Sequence, residues 1–181
     1  MRQILWTLLL VGLIGCGTAS RQYLLSADTA GSTHGTKRSV QIGVDKVTVP
    51  GYMEESRIAI EKPGGEISYR DEGWAVPTPK ALTNSLIRSL QQRFSNPNVY
   101  LFPWDVEREG GLRVKVTIQR FIYSEGRVIL EANYFIKRIG SRHKRSYLFR
   151  TEVPSEKDTP AIVRAMGRAF GKLTEEIGRR L

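Results

Sequence analysis

Few side chains in this sequence could make or break a bond. There is one thiol, Cys16, and there are two imidazoles, His34 and His143, far apart in the chain. A transition-metal site draws on Cys, His and carboxylates brought close together, so this inventory leaves it almost no ligands. No G-x-S-x-G elbow occurs, and no Ser/His/acid set is suggested. The run Gly167-Arg168-Ala169-Phe170-Gly171-Lys172-Leu173 approaches a phosphate loop and fails it. It is one spacer short, and Leu173 stands where a hydroxyl must hold magnesium. Two glycines four apart in a helix instead allow close approach of a neighbour. Glu54-Glu55 is an acidic pair whose adjacent side chains diverge. The sequence predicts no catalysis and no cofactor. The reactive chemistry that remains is ionic: Lys137-Arg138 and Arg142-His143-Lys144-Arg145 gather basic side chains around one turn. Arg138, Arg142, Lys144 and Arg145 are the candidates for holding phosphate or carboxylate groups.

Cys16 has a second use. Met1-Arg2 opens a segment in which Ile4 to Gly15 carry no charge. A positive start, an apolar run and a small residue before the cut are the layout of an export signal. At ~1.5 Å per residue the run covers roughly 18 Å, short of a hydrocarbon core about 30 Å thick. Leu13-Ile14-Gly15-Cys16 resembles a bacterial lipobox. That resemblance implies cleavage before Cys16, a diacylglycerol on its sulfur and an acylated amino end. Several acyl chains anchor a protein stably where one binds marginally. The expected organisation is a signal over 1–15, a lipidated flexible tether over 16–38 and one folded domain over 39–181. With its thiol acylated, the chain has no disulfide to draw on.

The formal net charge is +10, with 28 Lys and Arg against 18 Asp and Glu. Such a body suits an anionic partner. Export argues against nucleic acid and for anionic lipid or envelope protein.

The elements that must position these groups follow from periodicity. Val40, Ile42 and Val44 alternate, then the phase shifts to Val47 and Val49, which predicts a strand over 39–50 with a bulge near Lys46. Strands at 57–61 and 66–69 flank Pro63-Gly64-Gly65. Thr78 reads as the cap of a helix with Pro79 in its first turn. Leu82, Leu86, Leu90 and Phe94 form its stripe, and Asn96-Pro97-Asn98 stops it. A short strand at 99–102 precedes a meander of 112–122, 128–136 and 147–153, turning at Ser124-Glu125-Gly126 and Gly140-Ser141. Asp158-Thr159-Pro160 then starts a second helix. Its stripe is Ile162, Met166, Phe170, Leu173, Ile177 and Leu181, and Arg164, Arg168, Lys172, Arg179 and Arg180 lie on its polar side. The fold class is α+β: a largely antiparallel mixed sheet with two amphipathic helices on one face, a two-layer sandwich. Tyr23-Leu24-Leu25, an apolar exception within the tether, would add an edge strand or dock on the core. Tyr52, Met53, Trp74 and Trp104 are large groups in predicted loops, where they would contact a partner or pack beneath the loop.

Val47-Thr48-Val49-Pro50-Gly51-Tyr52-Met53, Arg57-Ile58 and Glu72-Gly73-Trp74-Ala75-Val76-Pro77 together resemble the auxiliary lipoproteins of ABC-type and MCE-type lipid transporters, the PqiC- and YmbA-type family. Tyr23-Leu24-Leu25 and the turn at Gly126 fit the same pattern. Met53 stands where Leu is usual, and Val76 where an acidic residue is common. The resemblance implies a periplasm-facing lipoprotein that assists an MCE-domain transporter moving phospholipid or related amphiphiles, without catalysis and with homo-oligomeric rings in some members. Gly17 in place of Asp after the Cys favours the outer membrane over the inner. The alternatives are a stand-alone phospholipid- or lipopolysaccharide-binding lipoprotein and a ligand-free structural envelope lipoprotein.

Overall fold

The computed structural model describes residues 20–28, 40–103 and 111–181. An eight-stranded mixed sheet carries two helices on one face, as an α+β sandwich. The strands are β1 Gln22–Tyr23, β2 Ile42–Asp45, β3 Arg57–Glu61, β4 Ile67–Trp74, β5 Val99–Phe102, β6 Leu112–Ser124, β7 Arg127–Arg138 and β8 Lys144–Pro154. The helices are α1 Thr78–Phe94 and α2 Thr159–Arg180.

β6 is the seam. Its whole length pairs antiparallel with β7, and β7 with β8. Its other edge is shared. The first residues of β6 pair in parallel with β2, which continues to β5, while Tyr123 and Ser124 pair in parallel with β3, which continues through β4 to β1. The sheet therefore forks on one side of β6. Glu125 and Gly126 close the β6–β7 turn with φ of 46° and 82°, the double positive φ of a two-residue hairpin.

Alternation sets the faces. Val114, Val116 and Ile118 of β6, and Val128, Leu130, Ala132, Tyr134 and Ile136 of β7, are buried beneath the helices. Leu82, Leu86 and Leu90 of α1 and Ile162, Phe170, Leu173 and Ile177 of α2 meet them with no exposed surface. Arg164, Arg168, Lys172, Arg179 and Arg180 stay on the outer side of α2, as its stripe requires.

Four expectations need correction. The 39–50 strand ends at Asp45 and returns only as a single bridge, Thr48 to Thr117, so the phase shift at Lys46 is a break in the strand. Thr78 does not cap α1. It is the first helical residue, buried, with Pro77 before it, and its hydroxyl finds no partner among the described residues; Asp158 does cap α2, accepting from the Ala161 N–H at 3.1 Å. β4 runs on through Trp74, because Gly73 and Trp74 gain β1 as a parallel neighbour. β8 begins three residues before Tyr147, at Lys144.

Residues 20–28, placed within the expected tether, dock on the body. The Gly73 N–H donates to the Arg21 carbonyl at 3.1 Å, and that of Ala75 to the Tyr23 carbonyl at 2.9 Å. Leu25 is buried in the core. The Ala27 N–H donates to Ser85 Oγ on α1 at 2.6 Å, and the Asp28 N–H to the Gly167 carbonyl on α2 at 2.9 Å. Any side chain at Gly167 would put a Cβ 2.9 Å from the Ser26 carbonyl oxygen, and at Gly171 one would overlap that of Asp28. The two-glycine notch inferred from the sequence is occupied by the chain's own N-terminal segment. Among the described residues no helix is long and apolar enough to cross a membrane.

Candidate functional site

The basic residues around the β7–β8 turn divide between two faces. Strand alternation is the reason. Arg138 opposes Leu112 and Arg145 opposes Ile136, so both project on the helix side; Lys137 and Lys144 oppose one another and project on the bare side. Arg142 lies in the turn between them. A single hairpin-tip cluster is therefore corrected to two sites sharing one end of the molecule.

On the helix side a cavity of about 340 Å³ opens between the turn and the end of α2. Leu112, Ile136 and Tyr147 form its apolar wall, and Arg138, His143, Arg145 and Arg180 its basic one. Lys144 reaches its rim. Arg180 comes from a different element, and the sequence offered no link between it and the turn. Its guanidinium lies 5.1 Å from the centre of the Tyr147 ring, and Tyr147 stacks on Tyr134 at 5.0 Å. Glu176 holds Arg180 from one turn below, Nε to Oε1 at 2.9 Å, and binds Arg179 at 2.6 Å. Those two hydrogen bonds, that from Arg180 first, hold the Glu176 carboxyl below the usual carboxylate range. Burial, with the Glu176 charge nearby, pushes the Tyr134 hydroxyl up. Arg138, Arg142 and Arg145 have no carboxylate partner among the described residues. Guanidinium forks accept carboxylate and phosphate oxygens in pairs. The cavity sets guanidinium groups beside an aromatic wall.

On the bare side a groove of about 400 Å³ runs across β6, β7 and β8. Lys115 and Lys144 bound it, with Thr117, Asn133, Phe135 and Leu148 along it. Farther along β7, Glu131 lies beside Arg150 and Glu152 beside Arg127, so charge is matched there.

The aromatic candidates fare differently. Met53 and Trp74 are core residues, 3% and 7% exposed, and offer no surface contact. Trp74 closes β4 with its N–H on the Ser56 carbonyl, 2.6 Å. Tyr52 is half-buried, and its hydroxyl accepts the Phe121 N–H at 2.9 Å beside the β6 bulge, where pairing slips between Ile118 and Arg120. Burial pushes that hydroxyl up. The Pro-Gly-Tyr-Met and Gly-Trp-Ala elements thus brace the fold: the first stitches a bulge, and the second carries β1. Trp104 and Cys16 lie outside the described residues. Among the described residues no group of three His, Cys, Asp or Glu could hold a metal ion.

Two ion pairs between strands also escaped the sequence reading. Arg113 binds Asp45 through both nitrogens at 2.8 Å, which holds its guanidinium charged, and Arg120 pairs with Glu61. Partners separated by 68 and 59 residues leave no local signal.

Comparison with known proteins follows this geometry. A family model described as the ABC-type transport auxiliary lipoprotein component matches residues 23–178. Among solved structures, an uncharacterized protein superposes with a TM-score of 0.72 at 17% identity, covering 89% of this chain and 97% of its own. Protein XCC0632 of Xanthomonas campestris superposes with a TM-score of 0.68 at 20% identity, over 88% and 90% of the two chains. At such identities these likenesses concern the fold alone. No curated protein matches the sequence.

Proposed function

The chain belongs to the ABC-type transport auxiliary lipoprotein family, and from that membership we propose that it is the accessory subunit of an MCE-type lipid-transport system, lipid-anchored through Cys16 at the periplasmic face of the outer membrane. Its role is to dock and assemble, with no reaction of its own. The observation that carries this reading is the family match, which begins at Tyr23 within the docked segment and ends at Gly178 beside the basic cavity. The cavity at the end of α2 then receives an acidic side chain of a transporter protein, held by Arg138, Arg145 and Arg180 beside the Tyr147 ring. Several copies of the subunit side by side would present several such cavities to one partner, as a homo-oligomer.

The test is co-purification of the membrane-extracted protein with the MCE-domain protein of the same cell. Arg138→Glu with Arg145→Glu is expected to lose the partner while the wild type retains it. Retention by the double variant would remove the cavity from the interface, and failure of the wild type to retain any MCE-domain protein would remove the proposed partner. Mass spectrometry of the mature amino end is expected to find a triacylated Cys16.

A further inference from the structure

We propose that the bare face of β6–β8 is the surface that lies on the anchoring bilayer, with the groove between Lys115 and Lys144 taking the phosphate of a phospholipid headgroup. This rests on the acylation of Cys16 put forward above.

A short leash limits how far the body can stand from its anchor. The body does not begin at residue 39. Ser20 already donates its hydroxyl to the Asp71 carbonyl at 2.6 Å, and the Gly73 and Ala75 amides hold the carbonyls of Arg21 and Tyr23. The α2 notch then traps 26–28 between the helices. Three residues, 17–19, lie between Cys16 and Ser20. Whatever their conformation, the four backbone steps from Cys16 to Ser20 span at most about 14 Å. The helix α2, with 22 residues, is roughly 33 Å long. The leash is less than half the length of the body it holds, so part of the body must rest against the headgroups.

One face of the sheet is covered by α1 and α2, and no helix among the described residues covers the other, where Ile122 and Ile129 are buried at one end and Leu148 is exposed. On the bare side of β6–β8, Arg113 is matched by Asp45, Arg120 by Glu61, Arg127 by Glu152 and Arg150 by Glu131 and Glu152. What remains unmatched among the described residues is Lys115, Lys137 and Lys144, at one end of the face. Lysines beside an anionic leaflet each add to attraction within a Debye length.

Leu148 is 85% exposed in mid-strand, while Lys144 stands 5.4 Å over the Phe135 ring. Ammonium groups flank an apolar floor. A phosphodiester between the lysines, with glycerol and ester carbons over Phe135 and Leu148, satisfies the charge and covers the apolar surface.

The full lipidated protein, reconstituted in phosphatidylethanolamine–phosphatidylglycerol vesicles, gives the test. Once Cys16 is acylated, an added cysteine is the sole label site. Fluorophores at Leu148→Cys on the bare face and Lys172→Cys on the outer side of α2 are read against a quencher carried on lipid headgroups. The Leu148 label is expected to be quenched several-fold more than the Lys172 label. Lys115→Gln, Lys137→Gln and Lys144→Gln together, or high salt, should bring the two labels toward equality. Stronger quenching at Lys172, or equal quenching in the wild type, overturns the assignment. So does a Leu148 label shielded from lipid and from water-soluble quencher alike, since a second copy would then cover the face. The mass of the same preparation separates the two readings. An acylated Cys16 with an unquenched Leu148 label sinks this inference alone, whereas an unmodified Cys16 sinks both.

Discussion

The end of the molecule where β1 joins β4 and the end where β7 turns into β8 are built on opposite plans. At the first, the backbone amides of Gly73, Trp74, Ala75 and Asp28 are bonded within the chain, and the recurring residues are Gly73, Trp74, Gly167 and Gly171, which matter for the space they fill or leave. At the second, Arg138, Arg142, Lys144 and Arg145 stand in water without acidic partners among the described residues. The motif-bearing end closes the fold on its own N-terminus. The motif-free end is left with unspent electrostatic attraction. Residues that mark a family by their spacing are here the ones that brace its architecture, and the unmatched basic side chains sit where spacing carries no signature.

That contrast can be broken by mutation. The largest effect is expected at the braced end: Trp74→Ala should lower unfolding free energy by about 3–5 kcal/mol, the usual loss for a buried aromatic, measured by denaturant melting. If Trp74 were instead a surface anchor, stability would hold and partner capture would fail. Gly171→Ala should cost about 1–3 kcal/mol, the range for overpacking, and should expose the bond after Ser26 to proteolysis, since the new Cβ displaces Asp28. Tyr52→Phe strands the Phe121 N–H and should cost about 1–3 kcal/mol, as an unsatisfied buried donor does. A smaller effect concerns acid. The Glu176 carboxyl titrates lower in the folded chain than unfolded, so its contribution is present above the unfolded value of about 4.3 and is lost as pH falls through the lowered native one. Glu176→Gln should flatten that limb of the stability–pH curve and loosen Arg180. The smallest change in stability, within about 0.5 kcal/mol, is expected for Arg138→Glu with Arg145→Glu, the pair predicted to abolish partner capture. A large loss of stability in that pair would erase the distinction between the two ends.

Much of the architecture could be read from sequence because it is periodic. The leucine stripe of α1, the Ile162-to-Ile177 stripe of α2 and the alternation in β6 and β7 each place side chains by local rules, and the α+β sandwich follows. What failed was set by distant neighbours. Trp74 looked like a loop residue because the end of β4 is paired across a register shift with β3 and with β1, some fifty positions earlier. The start of β8 was missed because Lys144, Arg145 and Ser146 are polar on both faces, so no apolar alternation marks the strand. The basic residues of the turn were legible as a cluster, but their division between two faces depends on the register with β7. Arg180 joined them only through folding. The α2 notch was visible as two small residues, yet its occupant was not, since nothing local ties Asp28 to Gly171.

One consequence concerns the order in which the chain can settle. β6 supplies an edge to β2, to β3 and to β7, yet it ends only at Ser124. The β1–β4–β3 group and the β2–β5 pair can form earlier, but they are joined only by a polypeptide segment that comes two-thirds of the way along. A chain delivered amino end first through a narrow passage would hold only part of its sheet until that segment emerged.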